Sequence, residues 1–324
     1  MMKKFVCLLL AAVMALSMMS VSAFADTQSF KIAIVQQLDH PSLDEIRTAC
    51  DARLKELAQE KGFSVEVKDF HGQNDQTVLN QIGAQVVDDD YDAIIPIATL
   101  AALCMATATE DNQIPVIYAA ISDPESSGLT DIANVTGTSD ELNTAFIMDM
   151  IFAVQPDVKT VGLLYSNSET NSIRPIAQAK EYLDAKGIAY VEKTGNTTDE
   201  ILAAASSLVG RCDVVFTPTD NVVMAAENAV AEILTEAGIA HYTGADSFVA
   251  CGAFATCGVN YTELGAYTAE MAVDILLGGE FPPFHVMDGG IITVNTETAA
   301  ALALDYAPFA DMANTVVEVT TSEE

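Results

Sequence analysis

The sequence predicts an α/β protein of two similar, doubly wound parallel-sheet lobes with a ligand cleft between them, and three observations carry that prediction. Apolar strand-like runs alternate with helical patterns along nearly the whole chain, the pattern of parallel sheets. The runs are continuously apolar rather than alternating, as in strands covered by helices on both faces. The chain also says the same thing twice. Asp92 in DAIIPIATLAALC and Asp213 in DVVFTPTDNV each open an apolar strand, a proline, a polar turn and a helix, 121 residues apart. KIAIVQQLDHPSLDEIR from Lys31 and TVGLLYSNSETNSIRPIA from Thr160 share a strand, a polar loop and a helix at an offset of 129.

Residues 1–25 read as a cleaved signal peptide: Lys3 and Lys4 precede an apolar run, and Ala23-Phe24-Ala25 places small residues where a secretory peptidase needs them. Cys7 has no apolar region ahead of it, so it does not read as the acylated cysteine of a lipoprotein. The first lobe then shows strands near Phe30 to Gln36, Phe63 to Phe70, Ala93 to Ile97 and Pro115 to Ala119, with helices starting near Ser42, Asp75 and Thr99. A Gly-, Ser- and Asn-rich stretch, SDPESSGLTDIANVTGTSDELN, reads as a crossing segment, and the next helix, Glu141 to Val154, is stopped by Gln155-Pro156. The second lobe shows strands near Thr160 to Tyr165, Ile188 to Lys193, Asp213 to Phe216 and Ala240 to Thr243. After them come GVNYTELGAYTAEMA, a capped amphipathic helix, and a last strand, IITVN. A helix left over after two half-sheets implies that the chain crosses back. The expected division is therefore 26–138 plus 259–287 for one lobe and 139–258 plus 288–312 for the other, with 313–324 an acidic tail.

Without residues 1–25 the chain carries 12 basic against 46 acidic side chains, a formal charge of −34. Such a surface repels nucleic acid and anionic lipid, so neither is an expected partner. Five cysteines remain, an odd number, and CGAFATC reads as strand or strand edge, which holds Cys251 and Cys257 too far apart for a disulfide unless the chain turns back. The four histidines are scattered and no spacing fits zinc, so no metal and no cofactor are expected. Gly-x-Ser-x-Gly, a phosphate-binding Walker loop and the dinucleotide fingerprint do not occur, which argues against the common enzyme classes.

In open parallel sheets ligands bind outside the carboxyl ends of the strands. The polar clusters Gln36-Gln37, Ala98-Thr99, Ser122-Asp123, Ser166-Asn167, Thr219-Asp220-Asn221 and Asp246-Ser247 all fall there. Helix starts in such loops offer N–H groups to an anion, and Asp220 offers charge to a cation, so a zwitterion suits both. Thr219-Asp220 and Asn171-Ser172 can equally serve as helix caps, and His40-Pro41 as a turn. Tyr118, Tyr165 and Phe216 end strands near the cleft and could flank an aromatic solute.

Seven stretches in order, QQLDHPSLDEIR, IPIATLAA, IYAAISDPESSGL, NVTGTSD, LYSNSETNS, PTDN and GVNYTELGAYTAEMA, span essentially the whole mature chain. Together they resemble the type I periplasmic-binding-fold solute receptors of ABC importers, in particular the tryptophan/tyrosine-type family. The resemblance implies a monomeric, non-enzymatic, exported clam-shell that closes on a small solute and delivers it to a membrane permease. It implies a first-lobe pocket with Ala98 and Thr99 and a crossover wall with Ser122 and Asp123. The second-lobe pocket would hold Ser166, Asn167, Glu169, Asn171, Ser172, Thr219, Asp220 and Asn221, and the polar clusters at the strand ends add Gln37 and Asp246 as candidates. Some such receptors carry aromatic amino acids, which fits the zwitterion argument. Sensing through a chemoreceptor or kinase, or carriage of a sugar or nucleoside, would use the same architecture.

Overall fold

The structure is a computed structural model that describes residues 28–322, and the expected signal peptide lies outside the described residues. Two sheets form. The first is wholly parallel: β1 (Ser29–Gln36) lies between β2 (Ser64–His71) and β3 (Ala93–Ile97), and β4 (Val116–Tyr118), β5 (Val135–Ser139) and β11 (His285–Val286) follow in space. The second runs β13 (Thr315–Val319), β12 (Ile291–Asn295), β10 (Ala255–Gly258), β9 (Ala240–Thr243), β8 (Val214–Thr217), β6 (Thr160–Tyr165), β7 (Ala189–Thr194). Among the described residues only the β10–β12 pair is antiparallel.

The central strands are buried along their length because helices cover both faces, as β1 and β3 show. On the first sheet lie α1 (Pro41–Lys61), α2 (Gln76–Asp88), α3 (Thr99–Ala108) and α10 (Tyr261–Leu276). On the second lie α4 (Thr144–Val154), α5 (Thr170–Lys186), α6 (Thr198–Leu208), the short α7 (Asn221–Met224), α8 (Glu227–Glu236), α9 (Asp246–Ala250), α11 (Thr296–Ala301) and α12 (Phe309–Met312). The helix left over in the sequence is α10, and it packs along α1 and under β3 to β5. The chain thus passes between sheets three times: after Ser139, after Gly258, and between Val286 and Ile291.

Three details differ from the sequence reading. Residues 315–319, expected in an acidic tail, form β13, paired with β12 from Ile291↔Thr315 to Asn295↔Val319. NVTGTSD, read as part of a crossing segment, contains β5, and α4 starts at Thr144 rather than Glu141 because the Asn143 Oδ1 caps it, accepting from Phe146 N at 3.1 Å. CGAFATC is not one strand: Cys251 ends α9, the chain turns through Gly252 at φ 112°, and only Ala255–Gly258 is strand. Cys50, Cys104, Cys212 and Cys257 are buried.

The α1–α10 contact depends on Gly265. A Cβ there would lie 2.5 Å from the Ile46 carbonyl oxygen and 3.1 Å from the Ala49 Cβ, so the helices approach as closely as bare backbone allows. Arg53 to Glu270, at 2.9 Å, and Lys61 to Asp274, at 2.8 Å, join the same two helices at the surface. Gly265→Ala is expected to push α10 off α1 and to cost about 1–3 kcal/mol, the usual range for overpacking. Thermal unfolding checks this, and a melting temperature equal to wild type would mean that the helices part without cost.

Candidate functional site

The carboxyl ends of the two sheets face each other, and their loops close on a narrow cleft of about 20 Å³. The first lobe supplies His40, Ser42 and Leu43 from the start of α1, Ala98 and Thr99 from the start of α3, Ala120 and Ser122 after β4, and Asp140 and Tyr261 from the crossings. The second supplies Asn171 from α5, Thr219, Asp220 and Asn221 before and in α7, and Met224, Ala245 and Phe248. A more open groove outside the cleft, beside Glu141 and Tyr182, lies on the α4–α5 surface.

Two alanines in the cleft wall hold left-handed backbone, Ala98 at φ 75° and Ala120 at φ 57°. Non-glycine residues rarely do so, and such strain gathers where backbone must be aimed at a ligand. At Ala98 the turn sends β3 straight into α3, whose first N–H groups face the cleft side of the sheet. One of them, Leu100 N, already donates to the Gln37 Oε1 at 2.9 Å.

The knot Thr217 to Asn221 is a structural hub. Asp220 is fully buried, and its Oδ1 caps α7 by accepting from Val222 N at 3.1 Å and Val223 N at 3.0 Å. Its Oδ2 accepts from Ser166 N and from the Ser172 hydroxyl, both at 2.7 Å, tying the loop to β6 and α5. Four donors already occupy the carboxylate. The Asn171 Nδ2 donates to the Thr219 carbonyl at 2.6 Å and fixes the knot from the other side. Burial raises the pKa of Asp220, and the donor groups around it pull the other way.

Asp140, which the sequence reading did not single out, has a different environment. Its Oδ1 accepts from the Ser122 hydroxyl at 2.8 Å and its Oδ2 from the Tyr261 hydroxyl at 2.9 Å, and with a bond to its own backbone N–H the carboxylate still has acceptor capacity to spare. Burial raises its pKa as well, against those two hydrogen bonds. No lysine or arginine lines the cleft among the described residues.

Hydrogen bonds cross from lobe to lobe around the cleft. The Gln37 Nε2 donates to the Glu169 Oε1 at 3.1 Å, the His40 Nε2 pairs with the Asn221 Oδ1 at 3.0 Å, and Ser122 Oγ meets Thr219 Oγ1 at 3.0 Å. Ser42 and Ser247 also join through their hydroxyls. Burial, with the nearby Asp220 carboxylate, pushes the Glu169 pKa up to about 7. Asp123 Oδ1 accepts from Ser126 N at 3.0 Å and lies 3.6 Å from Arg174 of the other lobe.

The sequence-derived candidates thus sort into three groups. Ala98, Thr99, Ser122, Asn171, Thr219, Asp220 and Asn221 line the cleft. Gln37, Asp123, Ser166, Glu169 and Ser172 stand behind it or at its edge, holding the lining residues or the opposite lobe. Asn167 is exposed and donates to Thr194 Oγ1 at 3.0 Å, and Asp246 does not reach the lining. The sequence reading missed Asp140, Tyr261, Ser42, Leu43, Ala120, Met224, Ala245 and Phe248 as lining residues. Asp140 carried the same signal as the others, a polar residue just past a strand, but its strand was hidden in polar sequence. Tyr118 and Phe216 are fully buried and do not line the cleft.

Residues 31–308 match the family model described as ABC transporter substrate binding protein. A tyrosine-binding protein of Clostridioides difficile (strain R20291) is 31% identical over 321 residues, covering 93% of this chain and 92% of that one. Among solved structures, an ABC domain from Streptococcus pneumonia in complex with L-Trp is 28% identical, with a TM-score of 0.82 over 90% of this chain and 100% of that one. The ligand-free, open structure of a substrate binding protein with adhesive properties from Clostridium difficile is 34% identical, yet its TM-score is 0.68 over 90% of this chain and 100% of that one. The greater likeness in shape to the complex, despite lower identity, agrees with the interlobe hydrogen bonds: the lobes of this chain are closed on each other.

Proposed function

We propose a function on one premise: this chain belongs to the ABC transporter substrate binding protein family. It is a type I periplasmic binding protein in architecture, and its family is one of receptors rather than of enzymes. Its solute is an aromatic amino acid, held between the lobes and passed to a membrane permease by an exported, monomeric receptor. The lobes are the two sheets with their helices, hinged at the three crossings.

The observation that carries this reading is the pairing of Asp140 with a cleft that has acid but no lysine or arginine. An ammonium group takes the acceptor capacity that Asp140 has left, and a charge-assisted bond there is stronger than a neutral one. The solute carboxylate turns to the α3 start, where the Thr99 hydroxyl and helix N–H groups supply donors without a full positive charge. Leu43, Met224 and Phe248 give the apolar wall for a ring. Tyrosine for one relative and L-Trp for another suit that division.

The walls are closely apposed, so solute enters when the lobes part and leaves them shut. A calorimetric and thermal-shift panel of amino acids tests the reading. Tyrosine or tryptophan is expected to raise the melting temperature, as stabilisation by about 2.7 kcal/mol at a hundredfold excess over Kd requires. Indifference to every aromatic amino acid, with a response to a sugar or nucleoside, would replace this reading with carriage of that solute.

A further inference from the structure

Among the described residues that line the cleft, one buried side-chain nitrogen has no hydrogen-bond partner: the Nδ1 of His40. His40 is only 6% exposed and lines the cleft at the start of α1. It is the residue before that helix, yet its side chain makes no capping bond, so capping does not explain it.

Its neighbours fix its protonation. The Gln37 amide is oriented by Leu100 N, which donates to its Oε1, so its Nε2 must donate to Glu169. Glu169, as a carboxylate, only accepts, and therefore the Asn221 Nδ2, 2.6 Å from its Oε2, must be the donor there. The Asn221 Oδ1 is left facing the His40 Nε2 at 3.0 Å, so the proton of a neutral ring sits on Nε2. Burial lowers the His40 pKa and keeps the ring neutral, against Asp44, Asp39 and the bond to Asn221, which favour the charged form. Nδ1 is then a bare lone pair in a desolvated wall, and such a group costs free energy until a donor meets it.

We infer that His40 reads a hydrogen-bond donor on the ring of the solute, and so selects aromatic amino acids that carry a phenol O–H or an indole N–H over those with a plain ring. The inference rests on the proposed aromatic amino acid reading and deepens it. Asp140 and Tyr261 belong to the crossings while His40 and Asn221 belong to the facing loops, so the ammonium and the ring donor meet different elements. Glu169 and Gln37 line no part of the reading surface but hold Asn221, and through it the tautomer.

Titration calorimetry at pH 8, where Glu169 is ionised, tests this with two matched pairs: tyrosine against phenylalanine, and tryptophan against 1-methyltryptophan. The wild-type protein is expected to prefer the donor-bearing member of at least one pair by roughly tenfold or more, because a site built around a polar group rejects the analogue that leaves it unpaired. In His40→Phe, which also removes the interlobe bond to Asn221 and so weakens all four solutes to some degree, the preference within each pair is expected to shrink to about twofold or less. The wild-type series needs no variant, so it decides even if His40→Phe fails to fold. Equal affinities within both pairs overturn the role of His40 and leave the aromatic receptor intact. Equal weakening of all four solutes in His40→Phe also overturns it, since His40 would then serve the common backbone of the solute or the closed state. Absence of binding by all four overturns both readings together.

Discussion

Asp220→Asn is expected to lower the melting temperature of the ligand-free protein by several degrees. The sequence alone suggests the opposite, since asparagine caps helices about as well as aspartate and the substitution should spare the fold. The structure shows why that argument fails. Oδ1 accepts two backbone N–H groups from α7, and Oδ2 accepts the Ser166 N–H and the Ser172 hydroxyl. An asparagine has one acceptor oxygen. If that oxygen caps α7, the amide nitrogen faces the Ser166 N–H, donor against donor at the place where 2.7 Å now separates donor from acceptor. The flipped amide moves the conflict to Val222 and Val223. Removing a buried charge returns part of its desolvation cost, which the raised pKa of Asp220 reflects. The stranded donors still leave a net loss of about 1–3 kcal/mol. At about 2–4 °C per kcal/mol for a chain somewhat shorter than this one, the shift is measurable by calorimetry. An unchanged melting temperature would show that Asp220 is not the hub described, and would return it to the list of residues free to hold a solute.

The strands and helices that this knot joins were readable because burial on both faces leaves uninterrupted apolar runs: IAIV, AIIPI, VGLLY and VVF are all strands at the expected places. β5 was not, because VTGTS has no such run. Its threonines are buried through bonds the sequence cannot display: Thr136 donates to the Pro282 carbonyl at 2.8 Å, and Thr138 meets Thr268 of α10 at 2.7 Å. A polar strand satisfied by a helix 130 residues away looks like a loop. β13 was hidden differently. It is an edge strand, exposed along much of its length, in an acidic end of the chain. The site followed the same division. Residues after readable strands, such as Thr99, Ser122 and Thr219, were found, whereas Asp140 fell with its strand. What no pattern could separate is lining from support: Ser166, Ser172 and Glu169 look as ligand-like in sequence as Asn171, and only the direction of their hydrogen bonds assigns them to the scaffold.

Asp140→Asn is expected to do the reverse of Asp220→Asn: to leave the ligand-free melting temperature unchanged or slightly higher, and to weaken amino-acid binding by roughly tenfold to 150-fold. The two carboxylates are both buried in the cleft wall, so the contrast lies in their partners. The side chains that donate to Asp140 are two hydroxyls, Ser122 and Tyr261, beside a bond to its own backbone N–H. A hydroxyl donates or accepts as its neighbour requires, so an asparagine amide in the same place keeps both contacts, its oxygen accepting from Tyr261 and its nitrogen donating to Ser122, whose own proton turns to Thr219 Oγ1 3.0 Å away. The fold also sheds the cost of holding a charge out of water, the cost that raises the Asp140 pKa. A solute ammonium meets the opposite situation, because the variant loses the charge-assisted bond of about 1.5–3 kcal/mol and turns an amide donor toward another donor. Calorimetry with tyrosine and tryptophan reads the loss. The matching control is 3-(4-hydroxyphenyl)propionate, which keeps the ring and carboxylate of tyrosine but has no amine, and should discriminate little between variant and wild type. Undiminished binding of the amino acids by Asp140→Asn would move the ammonium away from Asp140. Equal losses for amino acid and amine-free acid would mean that the residue shapes the closed cleft rather than contacting the charge.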